Sequence, residues 1–433
     1  MFLKKCLLIF FIGLFVFSLN AQENTSGAAI SDIKVTGLKR TKPAHIEEVL
    51  GGLRGKPASV VNAKYIESIL QSDGLFSEIK VEVVDGNGTV ISSAGEITPD
   101  KNTASSSDAG TPEASGVPYI RIQVKEKVTF MAVPFGMYSN DGFMGGFMLM
   151  DMNAFGMKNV INAGGIFSES KLMGIAGFSK PALSGKRPGF SLFTSLSRND
   201  SEFARLDNST YMKFKDTKYN FSGNLNYAFR NGIKISAGGK YMYQDFDNNI
   251  FDKFHSGEGN FNVAYSLNDW NGVFLSTSSF STFMAVGSST YGKVFERTGF
   301  SVIIQRPIVK YVRFRVSNCF SLQHDVPFPT LQGRQSVGVS ILPNNFGSPK
   351  MLGLTGSIEG AVVKTKMLTI SIYGTYECVD VENYDRSMDF SHGFNAGTRV
   401  YLSKLAFPAM SFGYAYNVTH RTAFFSFSAG MDF

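Results

Sequence analysis

The side chains that could do acid–base or covalent chemistry are few and scattered. Five histidines stand at His45, His255, His324, His392 and His420. A hydrolytic site needs an imidazole held beside a serine or a carboxylate. Only His324-Asp325 offers a local pair, and neighbours within a strand point to opposite faces. Three cysteines are present. Cys6 lies in an N-terminal apolar stretch, and Cys319 and Cys378 either pair or stay as thiols. None has the spacing of a zinc site. No phosphate-cradling glycine loop or nucleophile elbow appears. These residues predict no enzyme, no metal and no cofactor.

The charges exclude a second class. The net charge is +7 over 433 residues, and no Lys/Arg run exceeds two residues. That provides no concentrated stripe for a nucleic acid. The unusual figures are 40 Phe, 17 Tyr and 44 Gly against one Trp. Aromatic residues with glycine favour strands and turns.

The elements that carry these residues are strands. At the C-terminal end, Phe425, Phe427, Ala429, Met431 and Phe433 fall on one face, and Ser426, Ser428, Gly430 and Asp432 on the other. This period of two is a strand with one greasy and one small, polar face. The same alternation recurs from Val128 onward, in segments separated by turn residues. Sixteen segments are predicted: 128–139, 142–153, 159–169, 171–181, 189–200, 211–229, 233–245, 256–267, 272–285, 293–307, 311–323, 351–364, 367–377, 391–404, 409–418 and 421–433. In one of them Tyr219, Phe221, Leu225 and Tyr227 oppose Asn220, Ser222, Asn224 and Asn226, and Asn231-Gly232 supplies a tight hairpin turn. Sixteen strands are too many for side chains to fill the bore, so the apolar set faces out and the polar set in. The expectation is a mainly β protein, a 16-stranded antiparallel transmembrane barrel over 128–433, whose last strand, 421–433, must pair with its first, 128–139.

Residues 1–21 read as a signal peptide, with Lys4 and Lys5, an apolar core Cys6 to Phe17, and cleavage after Ala21. Residues 22–127 read as a small soluble domain of order β-α-α-β-β. Ile33, Val35 and Leu38 mark its first strand; Ile46, Val49, Leu50 and Leu53 keep helical spacing; Asn62 caps a second helix ended by Gly74. Residues 94–116 are rich in Ser, Ala, Gly, Thr and Pro and read as a disordered insertion.

Two parts of this text resemble the BamA-like outer-membrane assembly and transport superfamily. Ile33-Lys-Val-Thr-Gly-Leu38, Gly74-Leu-Phe-Ser-Glu-Ile-Lys-Val81 and Ile120-Arg-Ile-Gln-Val124 resemble its POTRA domain. Asp151-Met-Asn-Ala-Phe-Gly156, Gly393-Phe-Asn-Ala-Gly397 and the last strand are similar to its barrel, the bacterial surface antigen type. The family places an Arg-Gly-aromatic tip in the long loop that here is 324–350. Gly333 fits, but Gln332 stands where the arginine is expected and Arg334 where the aromatic is expected. Glu359 matches the family's inward carboxylate, and Ile372 or Tyr373 stands where the next strand carries an inward aspartate. The resemblance implies that Arg334 enters the lumen and pairs with Glu359, one residue displaced. It implies an outer-membrane barrel with its soluble domain in the periplasm. Its partners would be outer-membrane lipids, unfolded outer-membrane or exported protein clients, and periplasmic accessory proteins, with no nucleic acid. The implied activity is insertion or translocation of other proteins by strand pairing at the seam carrying Phe425, Phe427, Met431 and Phe433. Two alternatives remain: a passive pore or structural protein that keeps the fold, and a barrel-type hydrolase.

Overall fold

The computed structural model describes residues 28–96, 116–139, 142–229, 231–247, 251–270, 274–365, 367–402 and 408–429. The expected signal peptide, most of the expected insertion, Met431 and Phe433 lie outside the described residues. The chain divides into two compact units at Lys127/Val128.

The first unit is a four-stranded sheet with two helices. Strands β1 (Asp32–Thr36), β2 (Phe76–Val84), β3 (Val90–Glu96) and β4 (Tyr119–Glu126) lie in the order β1-β4-β2-β3. Helices α1 (Pro43–Leu50) and α2 (Ala63–Asp73) supply Ile46, Val49, Leu50, Ile66 and Leu70 to its core, all 3% exposed or less. Pro43 opens α1, the Asn62 side chain caps α2, and Gly74 closes α2 at φ 82°. The buried pair His45 Nε2–Asp73 Oδ2, 2.9 Å apart, ties the helices together, so this histidine is structural.

Strand β3 corrects the expected three-stranded order and overlaps the start of the expected insertion. Its turn is visible in the sequence: Asp85 Oδ1 accepts from the amides of Asn87 and Thr89, and Gly88 takes φ 84°. The strand itself gives little signal. It is an edge strand of small residues with Val90 and Ile91 half exposed, so no greasy face marks it. It also covers the outer edge of β2, which leaves β1 and β3 as the edges of this sheet.

Glu126 locks the end of β4 to the chain before α1. Its carboxylate accepts from the backbone amides of Lys39, Arg40 and Thr41 at 2.8–3.1 Å. Burial pushes its pKa up, but these amides together hold it below the usual glutamate range. The folded pKa is depressed, so the contribution is present above the unfolded value, about 4.3, and is lost as pH falls through the lowered folded value. Glu126→Gln is expected to cost about 0.5–1.5 kcal/mol of local stability at neutral pH, since the carboxylate is partly screened by solvent. Amide exchange over Lys39–Thr41, corrected for intrinsic pH dependence, checks this: the difference between variant and wild type should vanish in acid.

The second unit is a closed antiparallel barrel of sixteen strands. They are β5 (Phe130–Ser139), β6 (Gly142–Ala154), β7 (Asn159–Ser168), β8 (Lys171–Lys180), β9 (Gly189–Ala204), β10 (Thr210–Ala228), β11 (Ile233–Phe246), β12 (Phe254–Trp270), β13 (Leu275–Ser289), β14 (Val294–Val309), β15 (Val312–His324), β16 (Lys350–Lys364), β17 (Leu368–Glu382), β18 (Met388–Leu402), β19 (Pro408–Asn417) and β20 (Thr422–Ala429). The number and order agree with the sequence reading. So does the facing: Phe221, Leu225, Phe261, Phe412 and Tyr414 are exposed on the outer wall. Their inward neighbours Asn220, Asn224, Asn262 and Gly413 lie on the opposite face. Such an outer belt is what lipid requires.

The inner wall of β5–β8 departs from the polar-in expectation. Met131 faces Met150, Met137 faces Met144 and Val133 faces buried Met148. Ile166 and Met173 continue this inner face. In β5 and β6 both faces are apolar, which is why their alternation is hard to read in the sequence. From β9 to β14 the inner wall is mixed: Phe203, Phe214, Met242, Phe246 and Phe254 form a buried apolar cluster, and a cavity of about 600 Å³ is lined by Asn224, Asn260, Asn262, Lys240 and Arg297 together with Phe283.

Candidate functional site

Loop 325–349, between β15 and β16, turns back into the barrel. Val337, Val339, Ile341, Leu342 and Phe346 are each 4% exposed or less. They pack against Met351, Val379, Val381, Ala415 and Phe424 on the inner faces of β16, β17, β19 and β20. The loop base is pinned by strand residues. Arg297 donates to the Thr330 carbonyl and hydroxyl, Ser321 donates to the Gln332 side chain, and the Gln323 side chain accepts from the Gln332 amide. At the outer end, Tyr384 in the β17–β18 turn donates to the Ala204 carbonyl at 3.0 Å and accepts from the Gly347 amide at 3.3 Å. Burial pushes its hydroxyl up to about 12, so it stays a donor at neutral pH.

Gly333 opens a short 3-10 turn, Arg334–Ser336, and forms a bridge with Gly347. A Cβ at Gly333 would lie 2.8 Å from the Phe346 carbonyl oxygen. Arg334 is on the inserted loop as expected, but its ion pair with Glu359 is not formed. Its Nη1 donates to the carbonyls of Ser340 at 3.1 Å and Leu342 at 2.7 Å, closing the tip on itself.

Glu359 is taken by strand-borne partners. It is 3% exposed. It accepts from Arg313 Nη2 and Arg399 Nη1, each at 2.7 Å, from the Ser371 hydroxyl at 2.5 Å and from the Tyr401 hydroxyl at 2.8 Å. Arg313 is its direct cross-strand partner, so no loop has to be ordered to make that contact. Arg399 also stacks on Tyr373, 4.0 Å from the ring centroid. Tyr373 is the inward residue of the two candidates, and Ile372 is 53% exposed on the outer wall.

The carboxylate that does hold the loop is Glu377, which the sequence reading missed. Its Oε2 accepts from the Ser340 amide at 2.5 Å and the Ile341 amide at 3.1 Å. Asn395 donates to the Ser340 hydroxyl, and Asn417 donates to the Ile341 carbonyl. The loop thus presents the backbone of Ser340 and Ile341 to the lumen wall. Parity within β17 would have placed Glu377 inward; nothing in the sequence marks a backbone amide as its partner.

The seam lies beside this assembly. Among the described residues β20 pairs with β5 through four positions, Ser426↔Ser139 to Ala429↔Gly136, against eight between β19 and β20. Phe425 sits between Phe412, with ring centroids 5.0 Å apart, and Tyr138, at 6.3 Å. Phe427 is the register partner of Tyr138 on the outer face. On the inner face, Phe424 is 7% exposed under the inserted loop. The loop therefore contacts the last strand from inside.

The histidines do not converge on a hydrolytic arrangement. His255 and His392 meet the hydroxyls of Tyr241 and Tyr376, and His420 lies 3.4 Å from Asp389. His324 and Asp325 do approach, to 3.4 Å, because Asp325 leaves the strand at φ 51°. Both are exposed, with side chains 74% and 39% accessible.

No family model and no curated protein matches the chain. Solved structures do. BamA from Haemophilus ducreyi, lacking POTRA domains 1–3, superposes with a TM-score of 0.61 at 13% identity, over 96% of this chain and 86% of that one. CdiB from Acinetobacter baumannii gives 0.61 at 12% identity, over 93% and 74%. CdiB from Escherichia coli gives 0.59 at 15% identity, over 93% and 76%. The chain has the fold of BamA and CdiB, the fold that its sequence resembles.

Proposed function

We propose that this protein is an outer-membrane barrel that inserts or translocates other polypeptides, with its first unit a POTRA-like domain in the periplasm. The client would be an unfolded outer-membrane or exported protein that pairs with an opened β5 or β20 edge. The observation that carries this reading is the loop buried against Phe424 and Ala415, which couples the lumen to the seam strands. Outer-membrane lipids contact the apolar outer wall. Periplasmic accessory proteins would meet the first unit at β1 or β3, since β2 is covered.

The experiment is depletion of the protein from its cell, with quantification of the whole set of outer-membrane barrels. A broad fall supports an assembly factor, and loss of one exported protein supports dedicated secretion. An unchanged set leaves a passive pore, the reading favoured by the cavity of about 600 Å³ along β9–β14.

A seam lock sharpens the test. Met137 and Ser428 are inward-facing register partners, within the reach of a cross-strand disulfide. M137C with S428C, with Cys319 and Cys378 replaced by serine, is expected to restore depleted cells only when reduced. Full restoration by the oxidised form would rule out an opening seam.

A further inference from the structure

Between the inserted loop and β14–β18 lies a chamber of about 100 Å³ with an excess of positive charge. Arg313, Arg315 and Arg399 line it together with Glu359 and Glu377. Both carboxylates are already committed. Glu359 is held by Arg313, Arg399, Ser371 and Tyr401, and Glu377 by two loop amides. Arg315 is left over. It shares the inner face of β15 with Arg313, two residues and about 7 Å away along the strand. Its side chain is exposed to the chamber, and among the described residues it has no ion-pair partner.

The residues around Arg315 form one belt at a single level of the wall. Gln305 and Ser357 are its cross-strand neighbours, and Thr375 is the neighbour of Ser357. All three line the chamber and carry side-chain donors. Confined like charges raise the local concentration of counter-ions. A guanidinium's planar fork matches the two oxygens of an oxyanion. The volume, about 100 Å³, admits one small anionic group.

We propose that this chamber is an oxyanion-binding site centred on Arg315, with Gln305, Ser357 and Thr375 as its hydrogen-bonding wall. The oxyanion is either a free ion or the carboxylate that ends a polypeptide. The inference stands apart from the assembly reading, since a passive pore would carry the same site.

The test uses the full chain purified in detergent. Inorganic phosphate is titrated at fixed ionic strength while the unfolding midpoint is followed. In parallel, a short peptide with a free C-terminal carboxylate is compared with its amide. Phosphate is expected to raise the wild-type midpoint saturably, by about 2 °C or more. Arg315→Gln should abolish the rise, and Arg315→Lys should weaken the apparent affinity about tenfold. Arg198→Gln, which removes an exposed outer-wall arginine, should leave the response unchanged. Should Arg315→Gln not fold, Arg315→Lys and Thr375→Val carry the comparison. A saturable response to the peptide but not to its amide assigns the site to chain termini; a response to phosphate alone assigns it to a free ion. No saturable response in the wild type, or an equal one in the Arg315 variants, overturns the proposal.

Discussion

Glu359→Gln is expected to destabilise the barrel by about 3–5 kcal/mol, the cost of removing one partner from a buried ion pair. The carboxylate is 3% exposed and holds two guanidinium groups, each 2.7 Å away. Gln keeps the shape but not the charge. Arg313, Arg315 and Arg399 would then face one another with only Glu377 beside them, and that group is already bound to the loop. The loss should be read as a lower denaturant midpoint and a lower temperature at which the compact barrel converts to the extended form on a gel. Glu359→Arg should be worse. Adding Arg334→Glu should not rescue it, because Arg334 donates to the Ser340 and Leu342 carbonyls. A double-mutant cycle with Arg313→Met should show strong coupling, since that arginine is the cross-strand partner. A Glu359→Gln protein as stable as wild type, or a swap that restores stability, would show that this network does not hold the wall together.

Gly353→Leu is expected to unseat the inserted loop. Gly353 faces the lumen on β16, and a Cβ there would lie 2.8 Å from the Val337 carbonyl oxygen and 3.0 Å from the Val337 Cβ. Val337 is fully buried, so the neighbour has no room to give. Overpacking alone costs about 1–3 kcal/mol. The larger effect follows if the loop leaves, because each exposed Val, Ile, Leu or Phe forfeits roughly 1.5–3 kcal/mol. Cleavage within 325–349 by an external protease should become much faster, and ion conductance through the barrel should rise. The control is Gly356→Leu, three residues along the same strand on the outer face, where nothing lies within 4 Å of an added Cβ. Equal protease resistance in the two variants would show that the loop does not depend on this seat.

These two sites mark how far the sequence can be read. Strand number and facing were legible because lipid outside and water inside impose a period of two over most of the barrel. The alternation is weak in β5 and β6, where methionines face inward and both faces are apolar, and again in β13 and β14. The reading missed β3, an edge strand with no buried face, although Asn87-Gly88 marked the turn before it. Glu359 was legible as an inward carboxylate, but its partner was assigned to the loop when Arg313 already stood opposite. Register decides such pairs, and register is set by the whole wall. The bonds of Glu377 to the Ser340 and Ile341 amides were beyond reach, because every residue has an amide and only the loop path selects these two.

The position of the seam has a consequence for the order of folding. β5 and β20 come from opposite ends of the barrel segment, whereas every other barrel pairing joins strands consecutive in the chain. None of those pairings closes a loop longer than 325–349, whereas the last pairing closes the whole barrel segment. Contacts between distant parts of the chain are the slow ones. β5 is made first and waits longest with an unpaired edge, beside inner and outer faces that are both apolar. During that wait it is open to strands of any other chain in the same state. The protein therefore meets, in its own maturation, the hazard it is proposed to manage in others, and its closure rate should depend on whatever covers β5 before β20 arrives.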